Sequence, residues 1–322
     1  MTCETLPAPF SKWPQSPAKR EEPEAVTNSQ LTIRVGCQAN AWQREFQVKD
    51  HLGETLAQMA AAGYEGAELP VWSIGDLDQP GQVRDLLAEH GLAFIAIHIG
   101  GNFYEDAAFR EQALPAVRRA AGCAAASGAH GMVISAAAKR VPLTTVPFQR
   151  DAAAQPPALL PQHARKSVEE LLTQAANLRN VAQLDRDLGL TTYYHNHFAE
   201  FEHGGEEMEI ILQIDSPLLS LCFDIGNAAR GLDGGALREA LARYWERIGY
   251  LHFKDIKGDT LAEALGDGEI DFAPVGELAR ARGLHGWASA EIEPARGMVA
   301  HRSVLEDARL SCQFIRQLLR PI

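Results

Sequence analysis

Apolar runs of strand length alternate with amphipathic segments from about residue 31 onward. The first four runs have the composition of buried strands; they are LTIRVGCQ (31–38), GAEL (66–69), LAFIAIHIG (92–100) and GMVISA (131–136). Three segments between them predict helices, because a glycine follows each one; they are 49–62, 83–90 and 107–127. Continuous apolar strands that alternate with helices indicate a parallel sheet covered on both faces.

The second half of the chain repeats this design, but each apolar run now ends in residues that bind metals or move protons. These runs are YYHNHFAEFE (193–202), SLCFD (220–224), YLHFKD (250–255) and ASAEIE (288–293). Ser167 opens a Ser-Val-Glu-Glu capping box, which predicts a helix that extends to about Asp187. Further helices are predicted over 235–247, over 271–282 with Asp271 as its N-cap, and over 301–319.

The spacing of the chemical residues leads to a fold prediction. His195 and Asp224 are 29 residues apart, and His252 follows after another 28 and Glu291 after another 39. Each interval is about one strand–helix unit of a (β/α)₈ barrel. Eight strands and their helices leave a closed barrel or a doubly wound sheet, and no GxGxxG follows the first strand to support the sheet. We therefore predict an α/β fold, a single (β/α)₈ TIM barrel over residues 31–322.

Two segments do not fit the barrel pattern. Residues 1–30 contain five prolines, a charged KREEPE patch and no apolar periodicity, which predicts a disordered or loosely docked tail. Residues 139–163 contain another five prolines directly after the fourth strand. A loop this long is either a lid that overhangs the site or a decoration of this lineage.

The composition indicates which class of partner and which cellular compartment to expect. The net charge is −12, so the field of the protein repels phosphodiester backbones and we expect no nucleic-acid partner. The five cysteines are odd in number and form no CxxC, which indicates reduced thiols in a cytoplasmic protein. No apolar run approaches the roughly 18 residues of a membrane span, and no signal pattern opens the chain. The oligomeric state stays open, a homo-oligomer included.

The strand ends supply the candidate chemistry. Residues two apart on a strand share a face, so Tyr193, His195 and His197 lie together. His195, Asp224, His252 and Glu291 offer two imidazole nitrogens and two carboxylates without a thiolate. That donor set favours a divalent Mn, Co, Zn or Mg ion.

Several of these residues also have a simpler interpretation. Asp224 precedes Ile-Gly-Asn and could cap the next turn through its side chain. Glu293 could be solvated, and Lys254 could pair with a neighbouring carboxylate or face a substrate. For Glu291, which has apolar neighbours, a metal or cationic partner is the more economical account, because an unpaired buried carboxylate is costly.

The runs YHNHFAEF, CFDIGNA, YLHFKDIK and LGDGEIDFAPVGELARARGLHGWASAEIE resemble the xylose isomerase-like TIM-barrel superfamily. The similarity is greatest to its sugar phosphate isomerase/epimerase branch, which includes inosose dehydratases and ketose epimerases, and it covers about residues 33–319. The resemblance implies one metal ligand from each of the last four strands: the strand-five residue, then Asp224, His252 and Glu291. Many epimerases of the family have a glutamate on strand five, where this chain has Tyr-His-Asn-His. We assign His195 as that ligand, with Asn196 or His197 as alternatives if the register differs.

The resemblance also implies residues that contact the substrate. Glu68, His98, Lys254 and Glu200 match positions of substrate-contacting or proton-transferring groups, and Asn227 is assigned as substrate-binding with them. Trp42, after the first strand, could supply an apolar wall for a sugar ring. The substrate class implied is a small-molecule sugar or cyclitol.

The constellation predicts chemistry through an enediolate. A divalent ion acts as a Lewis acid on the vicinal oxygens of a keto-sugar. Glu291 is assigned as ligand and base, His197 as proton shuttle and Lys254 as electrostatic stabiliser. Isomerisation, epimerisation and dehydration need nearly the same residues, so the sequence leaves all three open. The alternatives from other classes are a metal-dependent endonuclease of damaged DNA and a sugar-binding barrel without catalysis.

Overall fold

The computed structural model describes residues 32–140, 163–215, 217–258, 260–293 and 300–320. The predicted tail over residues 1–30 lies outside the described residues. So does most of the proline-rich segment 139–163, of which only Lys139, Arg140 and His163 are described. Arg140 and His163 form an antiparallel bridge at its base.

Eight parallel strands close into a barrel, which confirms the predicted (β/α)₈ fold. In chain order they are β1 Thr32–Gln38, β2 Gly66–Pro70, β3 Ala93–Gly101, β4 Gly131–Ala136, β5 Thr191–His195, β6 Leu219–Asp224, β7 Ile248–Phe253 and β8 His285–Ala290. Each strand pairs with its sequence neighbours, and β1 pairs with β8 to close the ring. Because all eight strands run in parallel, their carboxyl ends meet at one mouth.

Helices cover the outside of the barrel. In chain order they are α1 Leu52–Ala62, α2 Pro80–Glu89, α3 Leu114–Ser127, α4 Val168–Asp187, α5 Glu206–Ile211, α6 Ile225–Gly231, α7 Gly234–Tyr244, α8 Ala273–Arg282 and α9 Val304–Leu318. No helix in the described ranges is both long enough and apolar enough to cross a membrane.

Some helices differ from the predicted ones in their boundaries, for local reasons. The predicted helix 107–127 is interrupted by the π-helical turn Phe109–Ala113, because Pro115 has no N–H to donate to the turn before it. Ser167 does form the predicted capping box with Glu170. The prediction that Asp271 is an N-cap is wrong by one residue. Its carboxylate accepts from Ala273 N at 3.0 Å, but Phe272 is the residue that precedes α8.

The barrel interior is closed beneath its mouth by a small cluster of side chains. The cluster consists of Ile95, Ala96, Val133, Tyr193, Cys222, Tyr250 and Trp287. The Tyr250 hydroxyl donates to Ser289 Oγ at 2.6 Å, so this buried polar group has a partner. The described cysteines, Cys37, Cys123, Cys222 and Cys312, are buried free thiols, as predicted. The barrel is thus a filled core with a polar layer above it.

The GDGEIDF run, residues 266–272, has a role in the backbone structure. The buried Asp255 carboxylate accepts from the backbone N–H groups of Gly266, Gly268 and Ile270 at 2.9, 3.0 and 3.3 Å. It also accepts from Ile256 N at 2.8 Å. A Cβ at Gly268 would lie 2.2 Å from Asp255 Oδ1, so the loop requires glycine there. Asp255 therefore fixes the loop that follows β7.

We expect Asp255→Ala to lower the free energy of unfolding by at least about 3 kcal/mol, because it leaves several N–H groups without their charged acceptor. Urea unfolding followed by circular dichroism measures this. Glu269→Ala, at an exposed side chain of the same loop, is the control and should change stability by less than about 0.5 kcal/mol. Equal effects of the two substitutions would contradict the role given to Asp255.

Candidate metal centre

The four predicted ligands meet at the mouth of the barrel. His195 and Asp224 are the last residues of β5 and β6, His252 is next to last in β7, and Glu291 directly follows β8. Each offers one ligand atom, and these atoms all lie within 4.8 Å of one another. All four side chains are buried. The parallel register places Asp224 beside His252, so the convergence follows from the strand pairing.

Glu291 lies at the centre of this group. Its Oε2 is 2.8 Å from His252 Nδ1 and 3.2 Å from His195 Nε2. His195 Nε2 is also 3.3 Å from Asp224 Oδ2. Burial alone would lower the pKa of His195, but the carboxylates of Asp224 and Glu291 outweigh it and raise the pKa to about 9. The site therefore stabilises positive charge at the point where the four side chains meet.

Asp224 has both of the roles considered for it. Its Oδ1 caps α6 by accepting from Asn227 N at 2.7 Å. Its Oδ2 is buried and has no hydrogen-bond partner in the described part of the chain, although it faces His195 and Lys254. A buried carboxylate oxygen without a donor is costly. A cation held by the four side chains would satisfy it, so the residues present fit a divalent ion.

Of the three strand-five candidates, only His195 lies in the group of four side chains found among the described residues, and Asn196 has another role. Its side chain spans the backbone of Asp224, donating to the carbonyl at 3.0 Å and accepting from the N–H at 2.9 Å. It is thus occupied in joining the ends of β5 and β6. His197 lies beside His195, with ring centroids 5.1 Å apart. The structure therefore brings His195 into the group of four and leaves both alternatives outside it.

Lys254 supplies a fixed positive charge at the edge of the cluster. Its Nζ lies 3.4 Å from Asp224 Oδ2, 3.5 Å from Glu291 Oε1 and 3.3 Å from Glu293 Oε2. Burial would lower the pKa of Lys254, but the carboxylates, Asp224 foremost, raise it above its ordinary value. Glu293 is not simply solvated, since it pairs with Lys254 and accepts from Asn40 Nδ2 at 3.3 Å.

Glu68 and His98 form a second polar layer next to the cluster. Glu68 Oε2 is 2.7 Å from His252 Nε2, and its Oε1 is 3.0 Å from His98 Nδ1. The Gln38 amide donates to the same Oε1 at 2.7 Å. Burial would raise the pKa of Glu68, but His252 and His98 outweigh it and hold the pKa below its ordinary range. Glu68 stays ionised beside the cluster.

Three residues assigned to substrate binding have hydrogen-bond partners within the protein. Trp42 is fully buried and its indole N–H donates to Gln58 at 2.8 Å. Glu200 accepts from the Tyr194 hydroxyl and from His197 N, and burial, followed by the charge of Glu207, raises the pKa of Glu200 to about 8. Asn227 donates to the Asn196 carbonyl at 3.2 Å. These contacts give each side chain a packing or hydrogen-bonding role in the described structure.

Two further side chains near the four candidate ligands, those of His197 and Cys222, are neutral. Burial, and then the charge of His195, lowers the pKa of His197 to about 3, so its imidazole is uncharged. Burial raises the pKa of the Cys222 thiol to about 12. Cys222 lies in the cluster that fills the barrel interior. A protonated thiol there adds no soft ligand, so the donor set keeps its nitrogen and oxygen character.

Sequence reasoning missed the polar residues that support the ligands. Gln38 and Asn40 follow or end the first strand, and Ser135 lies on β4 within 3.2 Å of His98 Nε2. In the sequence, the only indication of their role was a polar residue near the end of an apolar run. This was not sufficient to identify them, because their partners lie on strands far away in sequence.

Comparisons with known proteins place the chain among the xylose isomerase-like TIM barrels. The family model described as "Xylose isomerase-like TIM barrel" matches residues 56–318. The rhizopine catabolism protein MocC of Rhizobium meliloti is 26% identical over 302 residues, which cover 85% of this chain and 86% of that protein. The inosose dehydratase of Geobacillus kaustophilus is 31% identical over 163 residues, which cover 44% of this chain and about half, 51%, of the dehydratase.

A solved structure extends the likeness to the fold. The D-allulose 3-epimerase from Methylomonas sp., solved in complex with D-allulose, superposes with a TM-score of 0.67 at 17% identity. The superposition covers 89% of this chain and 98% of the epimerase. At this identity the likeness concerns the barrel architecture.

We expect Mn²⁺ to raise the thermal midpoint of the wild-type protein and to have little effect on Asp224→Asn. At a free Mn²⁺ concentration about 100 times the Kd, binding stabilises the native state by about 2.7 kcal/mol. Asparagine keeps the oxygen that caps α6 and removes the charge that faces the cluster. Asp233→Asn is the matched control, since Asp233 caps α7 through Ala236 N on the exposed surface. A full Mn²⁺ response in Asp224→Asn would show that the ion binds elsewhere.

Proposed function

Because the chain belongs to the family of xylose isomerase-like TIM barrels, we propose that it is a divalent-metal-dependent enzyme that acts on a keto-sugar or keto-cyclitol. The observation that carries this proposal is the convergence of four ligand atoms within 4.8 Å at the carboxyl ends of neighbouring strands. That is the end at which enzymes of this fold place their chemistry. Two imidazoles and two carboxylates suit Mn, Co, Zn or Mg.

The bound ion would supply Lewis acidity and a template for a carbonyl and its adjacent hydroxyl. His195, Asp224, His252 and Glu291 would hold it. Glu291 is also the base that removes the proton α to the carbonyl. Its Oε2 is directed to the two histidines while its Oε1 faces Lys254 and Asn40, so the carboxylate is held in a defined orientation before substrate arrives.

Lys254 and His197 are given the remaining two roles in the proposed reaction. Lys254 Nζ is 3.5 Å from Glu291 Oε1 and places positive charge where the enediolate develops negative charge. His197 is half-buried beside His195. Its neutral imidazole moves the second proton, either back to carbon or to a departing hydroxyl.

Dehydration of a keto-cyclitol of the inosose type is the reaction we favour among the three. Epimerisation at one carbon needs an acid/base group on each face of that carbon, and strand five carries His195 where many family epimerases carry a glutamate. Dehydration needs one base and one acid, the roles given to Glu291 and His197. The match to the inosose dehydratase of Geobacillus kaustophilus is consistent with this choice.

Isomerisation or epimerisation of a ketose is the second candidate, because the same ligands, base and cation serve it. The endonuclease and the non-catalytic sugar-binding barrel gain no support from the relatives, which are named as a dehydratase, an epimerase and a catabolic protein. The experiment incubates Mn²⁺-loaded protein with keto-inositols and ketoses in D₂O and follows the substrates by mass spectrometry. Dehydration removes one water, whereas isomerisation and epimerisation incorporate solvent deuterium without that loss. No change in any substrate would contradict the proposal.

We expect His197→Gln to lower kcat by about 10²- to 10⁴-fold, the range for loss of one acid/base group, and to leave the Mn²⁺ Kd within about twofold of wild type. Steady-state kinetics and titration calorimetry measure the two quantities. His130→Gln is the control, because His130 is exposed next to the amino end of β4. If His197→Gln raised KM and kept kcat, His197 would bind substrate and would not move a proton.

A further inference from the structure

Glu68 reaches across the barrel to a proposed metal ligand. It lies on β2, and three strand pairings around the ring, through β1 and β8, separate it from β7. Its Oε2 nevertheless lies 2.7 Å from Nε2 of His252, a residue 184 positions later in the chain. Both side chains are fully buried. Nothing in the local sequence around Glu68 requires this contact, which the closed barrel creates.

The contact determines which nitrogen of His252 is available to an ion. The other ring nitrogen, Nδ1, is 2.8 Å from Glu291 Oε2 and points into the group of four ligands. An ionised carboxylate only accepts hydrogen bonds, so His252 must carry a proton on Nε2 to satisfy Glu68. Glu291 Oε2 faces Nδ1 in the same way, so an ion that binds Nδ1 takes the place of the proton there, while Nε2–H keeps its bond to Glu68. Carboxylates that orient a metal-bound histidine in this way commonly raise metal affinity.

Glu68 is itself fixed by other side chains. Its Oε1 accepts from Gln38 Nε2 at 2.7 Å and lies 3.0 Å from His98 Nδ1. The opposite assignment of the Gln38 amide would place two oxygens at that 2.7 Å distance, so the amide nitrogen faces Glu68. His98 is held in turn by Ser135 Oγ, 3.2 Å from its Nε2. With both oxygens engaged and no exposed surface, the Glu68 side chain is not accessible to a substrate.

We propose that Glu68 is a positioning residue, which holds His252 in the tautomer and orientation that present Nδ1 to the divalent ion. This inference rests on the metal site of the proposed function and replaces the assignment of Glu68 to substrate contact. Gln38 and His98 serve the same end by orienting the carboxylate. The arrangement joins β1, β2 and β3 to the ligand on β7, so residues on one half of the barrel orient a ligand on the other half.

The test compares Mn²⁺ binding to chelator-treated wild type, Glu68→Gln and Glu68→Asp by titration calorimetry without substrate. We expect Glu68→Gln to weaken the Kd about 10- to 100-fold. Its amide either donates to His252 Nε2, which moves the imidazole proton to Nδ1, or meets the amide nitrogen of Gln38. Glu68→Asp keeps the charged acceptor and should recover part of the affinity. Glu65→Gln, at an exposed carboxylate just before β2, is the control and should bind as wild type.

Kinetics at saturating Mn²⁺ separate positioning from substrate contact. Under our proposal, the KM of Glu68→Gln stays within about twofold of wild type, because the ion has been restored by mass action. An unchanged Mn²⁺ Kd together with a raised KM would overturn the proposal and return Glu68 to substrate binding. If wild type bound no Mn²⁺, the proposed function and this inference would both fail. If wild type bound and Glu68→Gln matched it, only the role of Glu68 would fail.

A measurement on the wild-type protein covers the case in which the variants do not fold. Long-range ¹H–¹⁵N spectra of ¹⁵N-histidine-labelled, Zn²⁺-loaded protein report the tautomer of His252, assigned by comparison with His252→Gln if that variant folds and by through-bond connectivity otherwise. We expect a protonated Nε2 and an unprotonated Nδ1. The opposite tautomer would overturn the proposal.

Discussion

The structure depends on compensating buried negative charge at the mouth of the barrel. Glu68, Asp224 and Glu291 are almost completely buried, and an isolated carboxylate in such a place is strongly disfavoured. Each of them therefore lies within ion-pair distance of an imidazole or of Lys254. The carboxylates of Asp224 and Glu291 raise the pKa of His195 against the effect of burial. Negative charge placed in this way around buried imidazoles is also the charge distribution that holds a divalent cation.

In this fold, the residues that stabilise the barrel and its loops are distinct from the four candidate metal ligands. The aromatic and aliphatic cluster inside the barrel closes its interior below the site, and the strand ends carry the polar residues above it. Hydrogen bonds between side chain and backbone then fix the loops that leave the strands. Asn196 joins the end of β5 to that of β6, and Asp255 shapes the loop after β7. The four candidate ligands are thus positioned with the help of residues outside their own group.

The sequence was sufficient for the architecture and for the convergence of the four candidate side chains, because both follow from local patterns. Apolar runs ending in His195, Asp224, His252 and Glu291 indicate strand ends, and parallel strands bring their ends together. The supporting contacts could not be predicted in this way. Glu68 was assigned to the substrate because the family resemblance implies it, yet its partner is a histidine on the far side of the ring. Trp42 was assigned to a sugar wall, although its indole N–H has a partner in α1 and its ring is in the core.

We propose that His195, Asp224, His252 and Glu291 together bind one divalent ion. Pulsed electron paramagnetic resonance of the Mn²⁺-loaded protein identifies the ligands, because nitrogen nuclei bonded to Mn²⁺ give resolved couplings. We predict couplings from two imidazole nitrogens in the wild-type protein, with one lost in His195→Gln. A spectrum of Mn²⁺ with water and carboxylate oxygen alone would contradict the account.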